Sequence, residues 1–262
     1  MLNILVCVKQ VPDINLVKMD PVTGSLIRAG VPAILNPLDA NALEAAVRVK
    51  EAHGGSITVI TMGPDMAKEA LRECLAAGAD RAVLLSDRAF ANADTLATSY
   101  VIVSAAKMLG DFDLIFCGKE SLDGATGQMG AQLAQRFEAA QVTGTLLIKE
   151  VNEEAKTAGV ARELEDGVET LEVKLPCLFT MEKVNYPARI PNLKGKLAAK
   201  KAVITTITAD DIPGLDRGRI GDPGSPTKVP RMFPPVMPEP GIIIDEGSVE
   251  ASVAKLMQLI KD

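Results

Sequence analysis

The sequence predicts an α/β fold, a parallel sheet flanked by helices, with an extended C-terminal arm. Three observations predict it. Short apolar runs alternate with helical patterns over residues 1–140, a glycine-rich turn follows the fourth apolar run, and a Pro/Gly-rich tail precedes one last amphipathic stretch. Strands that alternate with helices pair in parallel and are covered on both faces.

In chain order, Ile4–Val8, Ile57–Met62, Ala82–Leu85 and Leu114–Cys117 read as buried strands. Between them, Ala40–Ala52, Met66–Ala77 and Asp94–Leu109 carry apolar residues at three- and four-residue spacing. Asp39 and Asp65 are the expected N-caps, and Gly78 and Gly110 the expected stops. A further helical pattern covers Gln132 to Glu138. Val142–Ile148, Gly159–Glu163, Thr170–Leu175 and Cys177–Met181 then read as strands joined by acidic turns such as Glu165-Asp166-Gly167. The expected domain is residues 1–190, followed by an arm over 191–262 that wraps a partner subunit. Val229, Met232, Phe233, Val236 and Met237 are apolar for an exposed linker, and Ser248–Ile260 reads as the terminal helix.

Composition narrows the function. A net charge of −6 argues against a general affinity for nucleic acid, and the basic stretch Lys183–Lys201 holds one aromatic, Tyr186, so base stacking has little to work with. No apolar run approaches the ~20 residues of a membrane span. The start, Met1 to Lys9, reads as a first strand rather than a signal peptide, and Cys7, Cys74, Cys117 and Cys177 are isolated, as expected of buried thiols in a cytoplasmic protein. His53 is the only histidine and reads as a surface residue near a helix end, so no metal site is expected. Glu44, on an Ala-rich helix face, is expected to be solvated. Any chemistry falls to a cofactor.

Ligands of such sheets sit at the carboxyl ends of the strands. Three turns meet there: Val8–Asp13, Met62-Gly63-Pro64 and Gly118–Gly130. In the third, Gly124, Gly127 and Gly130 lead from a strand into a helix, whose unpaired N–H groups suit a phosphate. No Gly-x-Gly-x-x-Gly opens a helix near the N-terminus and no Walker-type loop is present.

Five segments in order resemble the β subunit of electron transfer flavoproteins: Val8-Lys-Gln-Val-Pro-Asp13, Asn36 to Ala45, Gly118 to Gln128, Arg162 to Thr180, and Asn185-Tyr-Pro-Ala-Arg-Ile-Pro-Asn192. The resemblance implies a nucleotide-binding domain of the adenine nucleotide α-hydrolase-like kind. It also implies an obligate α subunit that holds one FAD and is clasped by the arm, and a flavin-dependent dehydrogenase of acyl-CoA or lactate type. The adenosine part of a nucleotide in this chain is then expected at Cys7, Asn36, Leu38, Asp39 and Met62. Its phosphates are expected at Asp123, Gly124, Ala125, Thr126, Gly127, Gln128, Met129 and Gly130. Val11 to Asn15 is expected towards the α-subunit flavin, and Ile190, Pro191 and Asn192 are expected to dock the dehydrogenase.

That nucleotide is AMP in the simple carriers of the family and a second FAD in the electron-bifurcating members. Asp20-Pro-x-Thr-Gly24, Arg28-x-Gly-Val-Pro32, Asn36-Pro-x-Asp39 and the loop length resemble the bifurcating members, for which NADH and ferredoxin or flavodoxin are the implied partners. Ala125, Gly127, Met129 and Ala131 depart from the loop pattern of many of them, and Tyr186-Pro-Ala-Arg189 carries one extra residue. A stand-alone nucleotide-binding module of stress-protein type would explain the first 140 residues but not the later segments. An ATP-using hydrolase or ligase is disfavoured by the single histidine and by the lack of a Ser-Gly-Gly-x-Asp loop near the first strand.

Overall fold

The computed structural model describes residues 1–13, 16, 18–19, 26–27, 31–184, 186–230 and 241–261. Asn15, Asp20–Gly24, Arg28, Asn185, Met232, Phe233, Val236 and Met237, named above, lie outside the described residues. A nine-stranded sheet runs in the order β11-β10-β9-β12-β8-β1-β6-β7-β13. Its strands are β1 (Asn3–Cys7), β6 (Ser56–Met62), β7 (Arg81–Leu85), β8 (Leu114–Gly118), β9 (Ala140–Asn152), β10 (Thr157–Leu164), β11 (Gly167–Lys174), β12 (Cys177–Met181) and β13 (Thr205–Ile207). All neighbours pair in parallel except β9–β10 and β10–β11. Four shorter strands, β2 (Gln10–Pro12), β3 (Lys18–Met19), β4 (Leu26–Ile27) and β5 (Ala33–Leu35), precede the first helix, and β2 pairs antiparallel with β5.

The period-two alternation of β1 feeds two cores. Ile4, Val6 and Val8 face α1 (Pro37–His53) and α2 (Lys68–Ala77), whereas Leu5 and Cys7 face α3 (Thr95–Leu109) and α4 (Met129–Phe137). At the centre Phe116 of β8 lies opposite Phe179 of β12, with ring centroids 5.2 Å apart, in the range of a favourable aromatic pair.

Helix boundaries follow local chemistry, with two corrections. Gly78 and Gly110 close α2 and α3, both at φ +126°, and Asp94 caps α3 by accepting the Ala97 N–H at 3.0 Å. Asp39 is not an N-cap. Asn36 occupies that position, Pro37 opens the helix, and Asp39 lies in the first turn with its carboxyl turned to the strand ends. Asp65 caps no α-helix either; it begins a single 3-10 turn before α2.

The compact unit extends to Pro230, so the division drawn at residue 190 falls inside it. The reason is packing. Helix α5 (Leu193–Lys201) sets Gly195 against α2, where a Cβ would fall 2.5 Å from the Ala76 carbonyl oxygen. Strand β13 extends the sheet beyond β7. The Pro/Gly-rich stretch after it is fixed by side chains: Asp87 accepts the Ala209 N–H, the Tyr100 hydroxyl accepts the Asp216 N–H, and Asp94 accepts the Thr227 N–H.

A second unit comprises Met19–Leu26 and Arg231–Asp262. Its helix α6 (Val249–Lys261) has no buried residue, and Val249, Val253, Leu256 and Ile260 form an exposed apolar row. No helix among the described residues is long and apolar enough to cross a membrane.

Gly130 lets α4 approach the sheet, because a Cβ there would fall 2.1 Å from Thr180 Cγ2. Gly130→Ala is therefore expected to lose about 1–3 kcal/mol through overpacking, read as a lower urea midpoint with unchanged m-value.

Candidate functional site

The carboxyl edge of β1, β6 and β8 gathers most of the residues singled out in the sequence. Cys7 and Met62 end β1 and β6, and Gly118 ends β8. Asn36, Leu38 and Asp39 begin α1 directly against Gly118, where a Cβ would lie 2.6 Å from Asp39 Oδ1 and 2.8 Å from Leu38 Cβ. The Asp39 carboxyl, 6 % exposed, accepts the Lys9 N–H and the Gly118 N–H, each at 2.8 Å. It thus ties the ends of two adjacent parallel strands to the first turn of a helix. Burial pushes its pKa up to about 7, while the two N–H donors, Asn36 and the Lys9 charge pull the other way. The Cys7 and Cys117 thiols are buried and pushed up by desolvation, so neither is a ready nucleophile.

From Gly118 the chain enters the glycine-rich loop. Asn36, 1 % exposed, pins its start: Nδ2 donates to the Glu120 carbonyl at 2.9 Å, and Oδ1 accepts the Leu122 N–H at 3.2 Å. Lys9 Nζ reaches Asp123 Oδ1 at 2.7 Å and Ser121 Oγ at 3.4 Å. Burial opposes the Asp123 charge, but the Lys9 and Ser121 contacts outweigh it and hold the carboxyl below the usual range. Residues 122–128 are exposed, with Ala125 and Gly127 in the left-handed region at φ +45° and +62°. At the far end Gln128 accepts the Thr95 hydroxyl at 2.9 Å, and Gln132 Nε2 donates to the same hydroxyl at 3.2 Å.

This edge fits a phosphate-bearing nucleotide. The N–H groups of Met129, Gly130 and Ala131 open α4 without intrahelical acceptors, at the end of an exposed loop whose start is held by Lys9. At Gly127 a Cβ would meet nothing within 4 Å, so the backbone there faces open space. Gln132 Oε1 is buried beside Thr95 with no hydrogen-bond partner, an acceptor left for a hydroxyl or amide. Gly130 itself is buried against Thr180, and its observed role is packing. Among the described residues no cluster of His, Cys, Asp and Glu could hold a metal ion.

Ile190, Pro191 and Asn192 stand elsewhere, on the flank of α1 and α2, where Pro191 shares a small cavity with Leu35, Ala40, Leu43 and Val47. The sequence reading missed Thr95 and Gln132, which no local motif marks, and gave Lys9 no role although it lies in a quoted segment. It also placed Glu44 in solvent. Glu44 is 3 % exposed and held by the Arg48 and Arg189 guanidiniums, each with a nitrogen 2.7 Å from the carboxylate.

The family model for the electron transfer flavoprotein domain matches residues 23–212. The chain is 46 % identical over 259 residues to an electron transfer flavoprotein subunit beta of Thermoanaerobacterium thermosaccharolyticum, covering 98 % of this chain and 97 % of that one. It is 45 % identical over 262 residues to the caffeyl-CoA reductase–Etf complex subunit CarD of Acetobacterium woodii, covering 100 % and 98 %. It is 39 % identical over 265 residues to the protein FixA of Azorhizobium caulinodans, covering 99 % and 94 %.

The raised pKa of Asp39 has a definite sign. Between its ordinary value of 3.8 and about 7 the folded state binds more protons than the unfolded chain, so the contribution of this group falls as pH rises through that window. Wild type is expected to lose stability relative to Asp39→Asn between pH 4 and pH 7, measured by urea unfolding. A difference that does not vary with pH would show Asp39 ionised throughout.

Proposed function

The chain belongs to the electron transfer flavoprotein family as a β-type subunit, and from that premise we propose that it holds a second FAD in an electron-bifurcating αβ heterodimer. The observation that carries the nucleotide assignment is the exposed loop from Ser121 to Gln128, clipped by Lys9 and running into the N-terminus of α4. A diphosphate placed there meets the N–H groups of the first turn of α4 and the open backbone at Gly127. Asp123, already neutralised by Lys9, adds little repulsion. Cys7 and Met62 end β1 and β6 at the same edge and Leu38 begins α1 against Gly118, which supports placing the adenosine there. The full-length similarity to a subunit of a reductase–Etf complex supports the bifurcating reading.

When bound, the flavin supplies acceptance of two electrons from NADH and their release singly, one to ferredoxin or flavodoxin and one through the FAD of the α subunit to a dehydrogenase of acyl-CoA or lactate type. The part of this chain is to orient and to exclude. Asp39 fixes the edge, Asn36 and Thr95 hold the loop at its two ends, and no side chain need act as an acid or base. The exposed apolar row of α6, beyond the compact unit that ends at Pro230, is best suited to clasp the α subunit, and Ile190, Pro191 and Asn192 form the docking point for the dehydrogenase. The complex works in the cytoplasm. A one-path carrier with AMP at the same loop is the second reading, favoured by the departures at Ala125, Gly127, Met129 and Ala131.

Gly127→Val tests the site. At φ +62° a β-branched residue is strained by about 1–3 kcal/mol, which is expected to distort the loop. The purified heterodimer should keep its α-subunit flavin and its exchange with the dehydrogenase, but lose the second nucleotide and NADH-driven ferredoxin reduction. Unchanged nucleotide content would remove the loop from the site.

A further inference from the structure

The segment that carries Ile190 is attached to α1 chiefly through the Arg189 side chain. The guanidinium of Arg189 donates from Nε to Glu44 Oε2 at 2.7 Å, from Nη1 to Glu51 Oε1 at 2.6 Å, and from Nη2 to Glu51 Oε2 at 3.0 Å and Glu44 Oε1 at 3.3 Å. The Arg189 N–H adds a bond to Glu44 Oε2 at 3.1 Å. Glu44 and Glu51 are two turns apart on one face of α1, and the planar fork of an arginine suits that bridge as a point-charge lysine does not. Arg48 takes the remaining side of Glu44 and lies 4.1 Å from the centre of the Tyr186 ring, so both ends of the Tyr186–Arg189 stretch are fastened to α1.

Beyond Ile190 the chain is fastened again. Asn192 caps α5 by accepting the Gly195 N–H at 2.8 Å. Arg72 of α2 donates to the Ala199 and Lys200 carbonyls at the other end of the helix, at 2.8 and 3.3 Å. Between these anchors Ile190 is 89 % exposed, beside Leu193 at 74 % and Leu197 at 53 %. An exposed isoleucine alone means nothing. Here the chain is fastened on both sides of it, by the bidentate Arg189 bridge before it and by the Asn192 helix cap after it, so it is ordered before any partner binds.

We propose that Arg189, bridging Glu44 and Glu51, is a positioning residue that fixes the Ile190 loop in its docking conformation before the dehydrogenase arrives. The proposal rests on the reading of Ile190–Asn192 as the dehydrogenase docking point. Fastening the loop to α1 in the free protein removes an ordering cost that docking would otherwise bear, which lowers KM for the dehydrogenase and leaves electron transfer within the docked complex unchanged. Arg189 touches neither cofactor nor reacting atoms and acts through Ile190.

The test uses the αβ complex with Arg189→Ala, Arg189→Lys, Glu51→Gln and Ile190→Asp. Glu51 is exposed, so Glu51→Gln weakens the bridge without opening the core and keeps the test alive should Arg189→Ala misfold. In Arg189→Ala, amide exchange across residues 189–196 should speed up and KM for the dehydrogenase rise roughly tenfold, with kcat and nucleotide content unchanged. Arg189→Lys and Glu51→Gln should fall between this and wild type. If Ile190→Asp raises KM but Arg189→Ala and Glu51→Gln leave it within twofold, or leave exchange unchanged, the positioning role is wrong and the docking reading stands. If Ile190→Asp leaves KM unchanged, the docking reading fails and the proposal with it.

Discussion

The buried carboxyl of Asp39 is the contact on which the site depends. Parallel strands leave N–H groups unpaired where the chain turns away at their carboxyl ends, and each needs an acceptor if it is not to face water. Asp39 supplies one oxygen to the Lys9 N–H after β1 and the other to the Gly118 N–H at the end of β8. Because it lies in the first turn of α1, it also fixes where that helix begins. Asn36 at the helix start can then hold the Glu120 carbonyl and the Leu122 N–H, and Lys9 can reach Asp123. The start of the loop after β8 is thereby placed by contacts that trace back to one carboxyl group, while its far end is held by Thr95. Gly118 is the matching concession in the strand, since any side chain there would occupy the space of Asp39 and Leu38.

Helix α1 buries a second carboxylate, Glu44, and treats it differently. Asp39 is satisfied by backbone donors, and desolvation dominates its titration, raising it. At Glu44 the guanidiniums of Arg48 and Arg189 outweigh the cost of burial and hold the carboxyl below the usual carboxylate range. The difference follows from what each one joins. Asp39 joins neutral backbone within the sheet edge, whereas Glu44 joins a distant segment that must be drawn onto the helix from across the chain. One helix therefore organises two faces of the chain, the carboxyl edge of the sheet through its first turn and the loop of Ile190 through its flank.

Much of the architecture was legible because hydrophobic periodicity and glycine are local signals. The runs at Ile4–Val8, Ile57–Met62, Ala82–Leu85 and Leu114–Cys117 became central strands, and Gly78 and Gly110 ended helices. The glycine-rich turn before α4 was visible for the same reason. What could not be read depends on partners far along the chain. Asp39 satisfies the local rule for a helix cap, yet its acceptors serve strands that end at Cys7 and Gly118. Glu44 on an Ala-rich face reads as solvated until Arg189, 145 residues later, returns to cover it. Thr95 bears no motif at all, and its contact with Gln128 exists only because α3 and α4 pack side by side. Residues 205–230 have the composition of a linker but are fastened by Asp87, Asp94 and Tyr100, none of which announces that task.

We propose that the edge organised by Asp39 holds a redox-active nucleotide of its own. Releasing and counting the nucleotides of the purified αβ heterodimer tests it most directly. Two FAD per heterodimer is the predicted result; one FAD with one AMP, or one FAD and nothing further, would contradict it.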